Sequence, residues 1–162
     1  MKIMLDLLEK QLQNLYNSEL LILDALAEML DYVTDTKLKE HIKNFAIETQ
    51  EQKVRLEDIG ELLHLKIAIK DGNIIRGLLM DTHELYSDFS KGFLMDVGII
   101  SKILQITHFQ ISGYETALLY IKNLDISEVQ EKLEKTLEEA YEGDENYQNY
   151  AKTLLLTKNN KP

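Results

Sequence analysis

A chain of 162 residues with 18 lysines and arginines against 28 aspartates and glutamates, a net charge of −10 and no cysteine excludes several classes of protein at once. Without thiols there are no disulfides, thiolate zinc sites or cysteine nucleophiles, and with Arg55 and Arg76 as the only arginines there is no basic stripe to neutralise phosphates, so no nucleic-acid partner is expected. The one proline is the last residue, Pro162; because proline inside a helix costs about 3 kcal/mol, its absence elsewhere favours long uninterrupted helices in an all-α chain.

Apolar residues recurring at alternating steps of three and four mark a helix that buries one stripe. In residues 2–33 that stripe is Leu5, Leu8, Leu12, Leu15, Glu19, Ile22, Leu26, Met29 and Val33, with one carboxylate among the apolar members. A short connection, Thr34-Asp35-Thr36, leads into residues 36–64, whose stripe is Leu38, Ile42, Phe45, Thr49, Gln52, Leu56, Ile59 and Leu63. Residues 65–92 follow, with glycines at 72, 77 and 92; within them Ile75, Leu78, Leu79, Leu85 and Phe89 predict a shorter crossover helix over 73–89. The segment 93–124 carries Ile99, Ile103, Ile106, Gln110, Gly113, Ala117, Tyr120 and Leu124, and a second apolar stripe of Ile100, Leu104, Ile111 and Leu118. Two apolar faces imply burial on two sides, under the crossover helix or in a homodimer contact. After Asp125-Ile126, where Ser127 and Gln130 fit a capping box, the segment 126–157 carries Val129, Leu133, Thr136, Ala140, Gly143, Tyr147, Tyr150 and Leu154.

Adding 91 carries Leu15 to Ile106, Glu19 to Gln110 and Leu26 to Ala117, and equally Ile42 to Leu133, Glu48 to Glu139 and Leu63 to Leu154. The chain thus reads as two antiparallel helical hairpins of one design, joined by a long crossover. That is the ferritin-like form of the four-helix bundle, expected as a single domain over residues 1–162. No apolar run approaches the roughly 18 residues of a membrane span, and Asp6 and Glu9 interrupt the opening apolar stretch before a signal-peptide core is formed. A cytoplasmic protein with no membrane partner is the expectation.

Helix midpoints meet at one level in an antiparallel bundle, so Glu19, Glu48, Gln110 and Glu139 are expected to converge. A carboxylate at the heart of an apolar stripe needs a compensating partner, since burial otherwise favours its protonated form. Inward carboxylates from several helices are the donor set of di-iron and di-manganese bundles, in which two helices give Glu and two give Glu-x-x-His. Here the corresponding segments read Glu48-Thr49-Gln50-Glu51 and Glu139-Ala140-Tyr141-Glu142, without the histidine, and Gln110 stands where the repeat asks for Glu. The candidate metal residues are Glu19, Glu48 and Glu139, with Gln52, Gln110 and Glu142 as weaker or outer ligands. The alternative from the same residues is a metal-free hydrogen-bonded layer of Gln110, Gln52, Tyr16 and Tyr114 that fixes helix register. His41, His64 and His83 have no ligand spacing to one another and read as surface or packing residues, and His108 lies one residue off the core stripe.

At Leu15-Tyr16-Asn17-Ser18-Glu19, Leu38-Lys39-Glu40, Glu48-Thr49, Arg55-Leu56-Glu57, His108-Phe109-Gln110-Ile111-Ser112-Gly113-Tyr114-Glu115-Thr116 and Thr136-Leu137-Glu138-Glu139 the chain resembles the YciF-like branch of the ferritin-like superfamily. The resemblance implies a stress-associated bacterial bundle, often dimeric, with a di-metal site to which Glu19, Glu48 and Glu139 correspond. The chain departs from that pattern in two places. Thr107-His108-Phe109-Gln110-Ile111 stands where the family reads Glu-His-Tyr-Glu-Ile, and Ala140 stands where it has a further Glu. Two functions follow as expectations: a carboxylate protein holding iron or manganese, or a metal-free scaffold that acts through contacts with an unidentified protein partner.

Overall fold

The computed structural model describes residues 2–67, 73–122 and 124–159. Five helices follow one another: α1 (Lys2–Tyr32), α2 (Thr36–Leu62), α3 (Asn73–Asp88), α4 (Phe93–Ile121) and α5 (Ser127–Asn159). Among the described residues there is no strand. α1 packs on α2 and α4, α5 packs on α4 and α2, and α3 lies against α4 and α1. The two hairpins and the crossover helix of the ferritin-like arrangement are therefore present, with the crossover within one residue of its expected end; Gly72 lies outside the described residues.

Local chemistry sets the turns. Asp35 is in extended backbone conformation at the N-cap of α2, and its carboxylate accepts the Leu38 amide at 2.8 Å, satisfying a donor that the first helical turn leaves free. Asp96, buried in α4, holds the same loop from the other side. It accepts the Thr34 amide at 2.8 Å, the Thr34 hydroxyl at 2.7 Å and the Asp35 amide at 3.1 Å. The capping box expected at Ser127 is not how α5 begins. The Gln130 amide bonds the Ile126 carbonyl, so the cap falls one residue earlier, and the Gln130 side chain turns to Glu134 at 2.6 Å.

Gly98 and Gly113 let α4 approach its neighbours. A Cβ on Gly98 would stand 2.7 Å from Leu85 of α3, and one on Gly113 would stand 2.6 Å from Leu15 of α1. The second apolar stripe of α4 is consequently spent largely within the chain. Ile100 is buried, and Leu104 and Leu118 pack against the core, so the exposed apolar side chains here are instead Leu94 and Leu119 on α4 and Met80 on α3.

Buried apolar residues form two clusters along the bundle. One holds Ile22, Leu26, Met29, Leu38, Ile42, Phe45, Ile99, Ile103 and Ile106; the other holds Leu8, Leu12, Leu15, Leu56, Ile59, Ala117, Val129 and Leu133. Each fully buried Leu or Ile contributes roughly 1.5–3 kcal/mol relative to exposure. Between the clusters, on every one of the four long helices, the stripe turns polar: Glu19 on α1, Thr49 and Gln52 on α2, Gln110 on α4 and Thr136 on α5 are all buried.

Candidate functional site: a polar layer between two apolar cores

Glu19 has no solvent exposure, and it sits in the stripe between Leu15 and Ile22. Both of its oxygens are met from α4: Tyr114 donates its hydroxyl to Oε1 at 2.8 Å, and Gln110 donates Nε2 to Oε2 at 2.9 Å. Gln110 Nε2 also donates to Gln52 Oε1 at 3.2 Å, across the bundle on α2. Gln52 passes the chain on, its Nε2 lying 3.1 Å from Glu139 Oε2 on α5 and 3.3 Å from Glu48 Oε1 one turn back on α2. The sequence expectation of convergence thus holds for Glu19, Glu48, Gln110 and Glu139, joined through Gln52. Glu142 does not enter this chain of bonds. It is exposed, and it acts on the layer only through its charge, which adds to the upward pressure on the Glu48 pKa.

Arg55 completes the layer. Three residues beyond Gln52 on α2, with its side chain 11% exposed, it spans to α5 and grips Glu139 with both ends of its fork, NH1 to Oε2 at 2.7 Å and NH2 to Oε1 at 2.6 Å. NH1 also donates to Thr136 Oγ1 at 2.8 Å. A bidentate guanidinium–carboxylate pair is among the stronger polar contacts in proteins. In the sequence, Arg55 counts only against a nucleic-acid partner and toward the family resemblance. Its signal is the spacing Glu48, Gln52, Arg55, which puts all three on one side of α2.

Tyr16, expected in the layer, is not in it. One residue off the stripe, it donates to Glu57 at 2.9 Å, and Lys53 binds the same Glu57 oxygen at 2.9 Å. His108, also one residue off its stripe, pairs with Asp144 at 2.9 Å on the outside of the bundle, His83 pairs with Glu28 at 3.3 Å, and His41 packs on the Tyr150 ring.

Burial pushes the Glu19 pKa up to about 7; the Tyr114 and Gln110 bonds pull it down, and the charges of Glu48 and Glu139 push it further up. Glu48 is likewise raised to about 7, by burial and then by Glu139 and Glu142, against the opposing pull of Arg55. Tyr114 is pushed well above the ordinary phenol value by burial and by Glu19, which keeps it a donor. For Arg55 burial acts downward, but the Glu139 bond and the charges of Glu139 and Glu51 more than reverse it, so its pKa is raised and it remains a cation.

These side chains do not fit a di-metal centre as they stand. The Glu19 oxygens receive an amide and a hydroxyl proton, those of Glu139 receive the guanidinium, and Gln52 turns its nitrogen rather than its oxygen toward Glu48 and Glu139. Among the described residues, no three Asp, Glu or His side chains are gathered so as to hold a metal ion. Two buried oxygens, Gln110 Oε1 and Thr49 Oγ1, have no protein partner; both are neutral, and a water satisfies them as well as a cation would. Nor is any helix of the described residues long and apolar enough to cross a membrane.

Comparison with known proteins agrees with the fold. Residues 4–159 match the model of a family described as a domain of unknown function, DUF892. Protein YciF of Escherichia coli strain K12 is 25% identical over 140 residues, covering 86% of this chain and 84% of YciF. The crystal structure of the Escherichia coli stress protein YciF superposes with a TM-score of 0.91 at 24% identity, covering 99% of this chain and 100% of that one. YcfI, a putative structural protein from Rhodopseudomonas palustris, superposes with a TM-score of 0.86 at 24% identity, covering 90% of this chain and 92% of that one. With its two hairpins, its crossover helix and a match over nearly its whole length, the chain belongs to the YciF-like DUF892 family.

Proposed function

We propose that this chain is a metal-independent, stress-associated helical scaffold that acts through protein contacts as a homodimer. The observation that carries the reading is the closure of the layer: both oxygens of the fully buried Glu19 are bonded by Gln110 and Tyr114, and both oxygens of Glu139 by Arg55. Groups already matched in this way specify helix register without a further ligand. The stress association is carried over from the Escherichia coli relative, a stress protein. The homodimer is carried over from the family resemblance, with Leu94 of α4 and Met80 of α3 standing exposed on helices that pack together, where a second copy would cover them.

The competing reading is a weakened di-iron or di-manganese site on Glu19, Glu48 and Glu139, with Gln52, Gln110 and Glu142 behind them. It draws on the unpartnered oxygens of Gln110 and Thr49. Anaerobic incubation with Fe(II) or Mn(II), desalting and metal analysis separate the two readings. The scaffold reading expects no retained metal and no faster iron oxidation than in buffer, and one or two retained ions per chain would overturn it. Sedimentation velocity tests the homodimer, and a monomer throughout the micromolar range contradicts it.

A further inference from the structure

We propose that Arg55 is the resident cation of the polar layer, occupying the role that a bridging metal ion has in carboxylate bundles, and that a divalent-cation site lies latent beneath it. The inference rests on the metal-independent reading above and extends it to the reason for metal independence.

The layer brings together the carboxyl groups of Glu19, Glu48 and Glu139 from three helices. Of the basic side chains that neighbour them in sequence, Lys53 binds Glu57 at 2.9 Å, Lys132 binds Asp58 at 3.3 Å, and Lys43 and Lys135 are exposed. Arg55 alone turns inward from α2 to α5, where it covers both oxygens of Glu139 and the hydroxyl of Thr136. Its charge is felt on α4 as well, where it opposes the upward shift of Tyr114. One guanidinium therefore ties α2 to α5 and offsets carboxylates around the layer, which is what a bridging ion does with coordinate bonds.

The oxygens under the guanidinium form a usable set. Glu48 Oε1 and Glu139 Oε2 converge on a single nitrogen, Gln52 Nε2, at 3.3 and 3.1 Å. Rotation of that amide would present an oxygen in place of the nitrogen, and the Gln110 amide, whose Nε2 donates to Gln52 Oε1 at 3.2 Å, would turn with it to meet the Gln52 nitrogen. Gln110 is 1% exposed, and its Oε1 has no partner. Two carboxylates, a turned amide and the Thr136 hydroxyl make the all-oxygen environment that suits Mn(II) or Mg(II) once the competing positive charge is gone.

The test compares wild type, Arg55→Met and the double variant Arg55→Met/Glu139→Gln, each stripped with chelator. Mn(II) binding is read from loss of the free-ion electron paramagnetic resonance signal, and stability from thermal unfolding with and without Mn(II). Wild type should bind no Mn(II). Arg55→Met should unfold at a lower temperature without metal, bind about one ion per chain and recover several degrees with Mn(II), as mass action requires. The double variant loses cation and anion together, so it should regain stability without metal and bind none. If Arg55→Met does not fold at neutral pH, refolding from urea with Mn(II) replaces the thermal arm, and folding only with the metal supports the proposal. An Arg55→Met protein that ignores Mn(II), folded or in refolding, while the double variant folds, overturns this inference and leaves the metal-independent reading standing. Mn(II) binding by wild type overturns that reading first.

Discussion

Glu19 is the residue on which the layer's pH response turns. Its ordinary value near 4.5 is raised to about 7 in the fold, so between those values the folded state holds a proton that the unfolded state has released. The stability it contributes is full below about pH 4.5 and is lost as the pH rises through 7, a change of roughly 3 kcal/mol for a shift of this size. Glu48, raised in the same direction, adds to the slope. Urea unfolding of wild type from pH 5 to pH 8 should therefore show stability falling with pH, and Glu19→Gln should flatten the fall; an unchanged slope would show that Glu19 does not titrate in this window. Gln110→Glu is the complementary change. It removes the nitrogen that bonds Glu19 and Gln52 and sets another carboxyl beside Glu19, which should destabilise the protein at pH 7 by roughly 2–4 kcal/mol. With Arg55 still on Glu139, Mn(II) should not restore the loss in thermal unfolding, whereas a weakened di-metal site would be repaired by it. At this scale the sequence was legible where a stripe carries the information. The offset of 91 pairs Glu19 with Gln110, and those two residues bond directly. Arg55 was hidden because an arginine beside a stripe usually reaches water, and only the three-dimensional position of Glu139 turns it inward.

Helix existence followed from the absence of interior proline and from the stripes, and all five helices stand within a few residues of their expected spans. Their ends were less legible, because end chemistry depends on a handful of backbone bonds. α2 stops at Leu62, where the sequence stripe continues to Leu63. The Leu65 amide bonds the Gly60 carbonyl at 2.8 Å and the His64 amide bonds the Glu61 carbonyl at 3.1 Å, which is the Schellman ending, and it places His64 at φ 54°. Glycine normally holds that position, since a side chain there costs about 1 kcal/mol. His64→Gly should accordingly stabilise the protein by roughly 0.5–1 kcal/mol in urea unfolding; a loss of stability would mean that the imidazole makes a contact worth more than the strain.

Across the whole molecule the two apolar clusters supply the burial, and the layer between them sets the register in which the hairpins meet. The superposition on YciF at a TM-score of 0.91 with 24% identity shows how little of the fold depends on individual apolar residues. Register is different, since a polar layer is satisfied only when Glu19 faces Gln110 and Glu139 faces Arg55 at once. The most direct test of a layer closed by its own side chains is a calorimetric titration of Mn(II) into chelator-stripped wild-type protein at neutral pH. A layer closed in this way predicts no saturable heat and no change in unfolding temperature at millimolar metal. Saturable binding of one or two ions per chain, with a matching rise in unfolding temperature, would contradict it.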